Sequence, residues 1–320
     1  MDLQNSTKIG VLIVTLTINP ALDRTILADR LVFEDRAYIL SRSEAVGGRG
    51  INASQVIHSF GAATSAIAAC GGKQGKRFED LLATSGFPVE IVRVKSEMRA
   101  NLTISDKQGL AIKLNERGAP LSEGELERIV KALKSQLVNA KWLMICGSVP
   151  PGVKPTFYSQ IIEIAKKMNV KTLLDTDGDS LLHGIEAGPT AVAPNQLEAE
   201  RLLNRVLITR QHFLDAAERI VSMGAESVIL SLGSRGAVGQ KGGQVIEAIP
   251  PRVDALSPIG AGDALAAAFT WALAEGKTFS EAIHWGVAAG TAAACLPGVQ
   301  FPTFAQTEEI YKRVELRGNL

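Results

Sequence analysis

The chain has 320 residues, with 34 Lys and Arg against 33 Asp and Glu, 46% hydrophobic and 21% charged residues. That is enough chain for a large α/β core, and its composition excludes wholesale disorder. A net charge of +1 gives no global field for nucleic acid, and three distant cysteines (Cys70, Cys146, Cys295) fit neither a disulfide framework nor a zinc knuckle. No stretch approaches the roughly 18 uninterrupted apolar residues that span a bilayer. The run Ile9–Ile18 follows a mixed-charge start without a small-residue cleavage site, so it reads as a buried first strand and not a signal peptide. Reduced thiols and no membrane partner point to a cytoplasmic protein.

In chain order, Val11–Ile18 reads as a strand, and Ile51–Phe60 as a helix with Gly61 as its stop. Ser65–Ala69 is a strand. Leu121–Leu137 is an amphipathic helix, with Ser122 and Glu125 spaced as a capping box. Trp142–Cys146 (strand), Phe157–Met168 (helix), Lys171–Asp175 (strand) and Ala191–Ala193 (strand) continue the alternation. Gln196–Leu203 and Phe213–Met223 are helical, Ser227–Leu232 is a strand, and Asp263–Ala274 and Phe279–Leu296 are helical. Strands separated by helices predict an α/β fold: one doubly wound, mostly parallel sheet with helices on both faces, in a single domain over 1–320. Ala28–Val46 and Glu90–Gly118 break the rhythm. They read either as a small projecting sheet that works as a lid, or as two edge excursions.

The strongest local motif is Gly260-Ala261-Gly262-Asp263, running into an alanine-rich helix. Glycines at a helix N-terminus aim backbone N–H groups at one point, a receptor for phosphate. A carboxylate beside that cradle repels an anion, unless its task is to orient and deprotonate a hydroxyl that attacks it. The other reading is a tight turn with Asp263 as a helix N-cap. Gly47-Gly48-Arg49-Gly50-Ile51-Asn52-Ala53 is a second glycine turn opening a helix. It imitates a dinucleotide fingerprint but lacks a convincing preceding strand and an acid about 20 residues on. Gly71–Arg77 fails as a Walker A loop, because Arg77 stands where Ser or Thr must meet magnesium. Asn19-Pro20-Ala21-Leu22-Asp23 is either turn chemistry or an acid at a strand's carboxyl end, where α/β ligands bind. The four His are scattered without metal-ligand spacing.

Taken in order, Asn19–Asp23, Gly47–Asn52, Cys146–Gly152, Pro194–Glu198, Ser231–Ala237 and Gly260–Asp263 resemble the ribokinase-like (PfkB-type) sugar kinases, nearest the phosphosugar branch of 1-phosphofructokinase, minor 6-phosphofructokinase and tagatose-6-phosphate kinase. The resemblance runs from about Thr15 to Gly298. It implies a kinase dependent on ATP and Mg2+, with a lid formed by about 24–46 and 90–118. Asp263 matches the catalytic base, and Gly260, Ala261 and Gly262 the anion hole. Asp23, Gly48, Arg49, Gly50, Asn52 and Ser148 match the sugar site, while Arg36, Arg99 and Lys113 fall where basic lid residues meet the substrate's phosphate. Asn195 and Glu198 match the motif that organises the metal. Ser231, Leu232, Gly233, Ser234, Arg235 and Gly236 match the nucleotide loop, flanked by Val287 and Thr291.

Three departures stand out. Arg49 replaces Gly or Lys, Ala193 replaces a Lys, and Pro258 replaces Thr or Val, which leaves monovalent-cation dependence open. The expected reaction is phosphorylation of fructose 1-phosphate, with fructose 6-phosphate or tagatose 6-phosphate next. The alternatives are a kinase for an unphosphorylated sugar or nucleoside, and a catalytically silent binding protein. The family analogy also allows a homodimer through the lid.

Overall fold

The computed structural model describes residues 11–32, 34–298 and 300–318. β1 (Leu12–Thr17) starts the chain, followed by β2 (Ala21–Ala28), β3 (Ile39–Gly47), α1 (Arg49–Ser59), β4 (Thr64–Cys70), α2 (Gly72–Leu82) and β5 (Val89–Arg93). Then come β6 (Arg99–Asp106), β7 (Ala111–Asn115), α3 (Glu123–Leu137), β8 (Ala140–Cys146), α4 (Phe157–Lys167), β9 (Lys171–Asp175), α5 (Gly178–Glu186), β10 (Ala191–Val192), α6 (Gln196–Leu203) and α7 (Arg210–Ser222). β11 (Ser227–Ser231), β12 (Ala237–Lys241), β13 (Gln244–Ile249), α8 (Ala261–Ala274), α9 (Phe279–Ala294), α10 (Phe304–Tyr311) and β14 (Glu315–Gly318) complete it.

The large sheet has the order β14-β13-β12-β11-β10-β9-β8-β1-β4-β5. It is parallel from β11 to β5 and antiparallel from β11 to β14. From β1 the chain winds one way to β4 and β5, then returns to β8 and winds the other way. The strand order therefore reverses beside β1, and ligands of such sheets bind at the carboxyl ends of the strands there.

Alternation along each strand sends side chains into two cores. Val14, Leu16, Leu143 and Ile145 face α3, α4 and α7; Ile13, Trp142 and Met144 face α1, α8 and α9. Thr15 also faces α1, where its hydroxyl joins Ser54 (2.9 Å), which meets Thr64 (3.0 Å), which donates to the Ile13 carbonyl (2.9 Å). This buried polar chain fixes α1 against β1 and β4. α8 is rich in alanine, and α9 packs so close to it that a Cβ on Gly290 would stand 3.0 Å from the Ala261 carbonyl. Small residues thus pin the start of α8.

A second sheet, ordered β3-β2-β6-β7, grows out of the β1–α1 and β5–α3 connections. The expected boundaries shift here. Val89–Arg93, read as part of the projecting piece, pairs with β4 as the outer strand of the large sheet, since a β-branched run finds a partner edge there. Asp23 is no turn residue either: Ala21–Ala28 hydrogen-bonds to strands on both sides, and that pairing overrides Asn-Pro turn chemistry. The capping box of α3 forms as the spacing predicts. α2, α5, α10, the β12–β13 hairpin and β14 went unread, because their apolar stripes are short or broken by glycine.

Leu16 lies at 0% exposure in the first core. Leu16→Ala is expected to destabilise the fold by about 2–5 kcal/mol. Denaturant unfolding would show the midpoint falling at constant slope.

Candidate active site

The site forms where α1 and α8 present their N-termini to the carboxyl ends of β1, β8 and β9. Gly48 (φ 132°) and Gly260 (φ 78°) are the N-caps of the two helices, both in backbone conformations that a side chain would strain. Asp263 is in the first turn of α8, and Asn52 Nδ2, from α1, donates to its Oδ2 at 2.6 Å. Burial, and next the charge of Asp175, push the Asp263 carboxyl up to about 7, against the Asn52 hydrogen bond and the Arg49 charge. Asn52 is itself buried, and its Oδ1 has no partner. An orphaned buried acceptor beside a raised carboxyl is a polar hole shaped for a hydroxylated ligand.

Arg49, the first residue of α1, reaches across the site. It donates to Asp175 Oδ1 at 2.7 Å and Glu198 Oε1 at 2.9 Å, and stands 3.6 Å from Asp177 Oδ2. Glu198 is held from behind by the capping box of α6: its Oε2 accepts from the Asn195 amide at 2.9 Å, and Asn195 Oδ1 accepts from the Glu198 amide at 3.0 Å. Burial raises the Glu198 carboxyl, with Arg49 opposing it. Among the described residues no group of His, Cys, Asp and Glu converges to hold an ion unaided. The hard oxygens of Glu198 and Asp177 nevertheless suit magnesium carried on nucleotide phosphates, which needs only one or two carboxylates from protein.

On the small sheet, Asp23 pairs in register with Asn101, whose Nδ2 donates to Asp23 Oδ1 at 2.8 Å. Burial raises the Asp23 carboxyl, and Asn101 and Arg99 act against that. Residues opposite each other share a face, so Arg99, Asn101 and Thr103 lie beside Asp23, and Lys113, opposite Thr103, joins them. Arg99 donates to the carbonyls of Asn19 (3.1 Å) and Glu116 (2.9 Å). Ser148 accepts from Asn19 Nδ2 at 3.1 Å. Its turn is fixed by the Gly147 carbonyl, which accepts from Tyr158 and Thr176.

Arg36 is not brought into this group: it lies in the β2–β3 connection, at the end of the small sheet away from Asp23. Ser231 bridges to Asn195, and Gly233–Arg235 forms a 3-10 turn closed by the Leu232 amide on the Gly236 carbonyl (2.8 Å). Arg235 hydrogen-bonds Gln196 and lies 4.7 Å over the Phe213 ring. Val287 is buried in α9, and the Thr291 hydroxyl donates to its carbonyl at 2.7 Å. Asp175, Asp177 and Asn101 escaped the sequence reading. Acids at and just past the carboxyl end of the strand Lys171–Asp175 are the available signal.

A glycine cradle and a raised carboxyl, at the switch point of a doubly wound sheet with a small second sheet, define a ribokinase-like phosphotransferase. The chain belongs to the pfkB family carbohydrate kinases, whose model matches residues 16–306. It is 34% identical to ATP-dependent 6-phosphofructokinase isozyme 2 of Escherichia coli (strain K12), over 94% of this chain and 98% of that protein. It is 31% identical to 1-phosphofructokinase of Borreliella burgdorferi, over 88% of this chain and 92% of the relative. The tetrameric inhibited form of phosphofructokinase-2 from Escherichia coli superposes with a TM-score of 0.87 at 34% identity, covering 95% and 99% of the two chains.

The pH dependence of turnover tests the Asn52–Asp263 bond. That hydrogen bond favours the carboxylate, so Asn52→Leu is expected to move the acidic limb of kcat/KM upward from about 7. A pH–rate profile checks the direction.

Proposed function

We propose that this kinase transfers the γ-phosphoryl of ATP to a ketohexose phosphate, fructose 1-phosphate or fructose 6-phosphate, both giving fructose 1,6-bisphosphate. The supporting observation is one polar face carrying Asp23 and Asn101 for hydroxyls and Arg99 and Lys113 for a dianion, opening toward Asn52 and Asp263. Identities above 30% to two fructose-phosphate kinases support the same acceptor.

Asp263 orients the attacking hydroxyl and takes its proton. The N–H groups of Gly260, Ala261 and Gly262 receive charge on the migrating phosphoryl group. Glu198, held by Asn195, and Asp177 would receive magnesium, which supplies charge neutralisation across the nucleotide phosphates. The Ser231–Gly236 loop, stiffened by Arg235 on Phe213, follows the nucleotide, with Val287 and Thr291 near the base. The small sheet serves as a lid, excluding water that would hydrolyse ATP. ATP and phosphosugars are cytoplasmic metabolites, and no described helix is long and apolar enough to cross a membrane.

The lid face turned away from Asp23 is apolar on β6 and β7 and carries Arg24, Arg42 and Glu44 on β2 and β3. Ile104 pairs with Ile112 and Leu102 with Leu114, and Ile112 and Leu114 are 40% and 54% exposed. With β3 and β7 unpaired on their outer sides among the described residues, this face suits a second copy of the chain.

Asp263→Asn is expected to lower kcat by roughly 10²–10⁴ with ATP binding kept. Arg99→Ala and Lys113→Ala should each raise the sugar-phosphate KM roughly 10-fold or more with a smaller change in kcat. A coupled assay over a phosphosugar panel measures both, and equal turnover of unphosphorylated sugars would refute the phosphosugar reading. Ile112→Asp with Leu114→Asp should convert a dimer to monomer in sedimentation velocity.

A further inference from the structure

Magnesium binds protein through few carboxylates and relies on nucleotide phosphates for its other ligands. Here the carboxylates nearest that role are already engaged by a side chain. Arg49 Nη1 lies 2.7 Å from Asp175, and its Nη2 lies 2.9 Å from Glu198 and 3.6 Å from Asp177. Its side chain is 28% exposed, while those of Asp175 and Glu198 are 8% and 6% exposed. The guanidinium thus lies on the solvent side of Asp175 and Glu198, while Asp177, 45% exposed, stands at the rim. A fork of five donors suits this task, because it can engage two carboxylates at once where an ammonium offers one compact charge.

We infer that Arg49 is the protein's own stand-in for the divalent cation, neutralising Asp175, Asp177 and Glu198 and keeping free metal out until it arrives on a nucleotide. The inference rests on the magnesium–nucleotide reading of Glu198. Arg49 acts through the acids it holds and touches no reacting atom in this arrangement, so it is a positioning residue. It also joins the two halves of the site. α1 carries Asn52 toward Asp263, and the same helix is tied by Arg49 to β9 and α6. A divalent ion arriving on polyphosphate brings positive charge with its phosphate ligands, and can take over one or two of the acids from Arg49.

The test is a Mn2+ titration of nucleotide-free protein, followed by electron paramagnetic resonance. Wild type is expected to bind no Mn2+ more tightly than about 1 mM, the weak end for carboxylate sites. Arg49→Met, which keeps length and loses charge, should bind Mn2+ at least about 10-fold tighter, and adding Glu198→Gln should reverse that gain. Arg49→Lys, which keeps the charge but not the two-pronged fork, should fall between wild type and Arg49→Met. A tight Mn2+ site in the wild type overturns the inference whatever the variants do. So does an Arg49→Met protein, folded by circular dichroism, that binds no tighter than wild type, or a gain that survives Glu198→Gln. If Arg49→Met fails to fold, Arg49→Gln replaces it under the same criteria. Neither sugar nor turnover enters the titration, so a failed phosphotransfer assay and a failed Mn2+ result are separate findings.

Discussion

Two helix N-termini meet at the middle of this protein, and the hydrogen bond from Asn52 to Asp263 joins them. Each helix end brings unpaired N–H groups and a partial positive charge. Asp263 gains from that field and from Asn52, yet burial and Asp175 outweigh both and hold the carboxyl near neutrality. A carboxyl so poised is able to take a proton from a hydroxyl at physiological pH, which a solvated aspartate does poorly. Everything else in the fold can be understood as holding this pair in place: the Thr15–Ser54–Thr64 chain under α1, and the close approach of α9 to the start of α8.

Charge balance is the second constraint. Asp23, Asp175, Asp177, Glu198 and Asp263 gather in a cleft that is to receive polyanions, with Arg49 and Arg99 among them. Five carboxylates in one cleft make a strongly negative site, which Arg49 and Arg99 only partly offset. The cationic groups are divided accordingly. Arg49 sits among Asp175, Asp177 and Glu198, while Arg99 and Lys113 lie on the small sheet beside Asp23. The division matches a reaction with two phosphorylated reactants, one on each side of the migrating group.

One pleat gives the small sheet two different faces. Its polar face carries Asp23, Asn101 and Lys113, and its opposite face carries Leu102, Ile104, Ile112 and Leu114. Strand alternation couples these faces: a register slip by one residue would exchange the polar and the apolar rows. Pairing of β2 with both β3 and β6 pins that register across the site.

Hydrophobic periodicity by itself determined the alternating strands and helices of the large sheet, because buried parallel strands and amphipathic helices write their burial into residue order. Local chemistry determined the glycine turns at Gly48 and Gly260 and the capping box at Ser122, since each works within a few residues of chain. Only tertiary structure decided that Val89–Arg93 belongs to the large sheet, that Asp23 begins a strand, and that Asn101 stands behind it, because strand pairing is a long-range choice. The same holds for Arg49: a motif position read as part of the sugar site turns out to lie 2.7 Å from an acid 126 positions away. No periodicity encodes such a contact; it exists because the winding of the sheet reverses beside β1 and brings the ends of α1, β9 and α6 together.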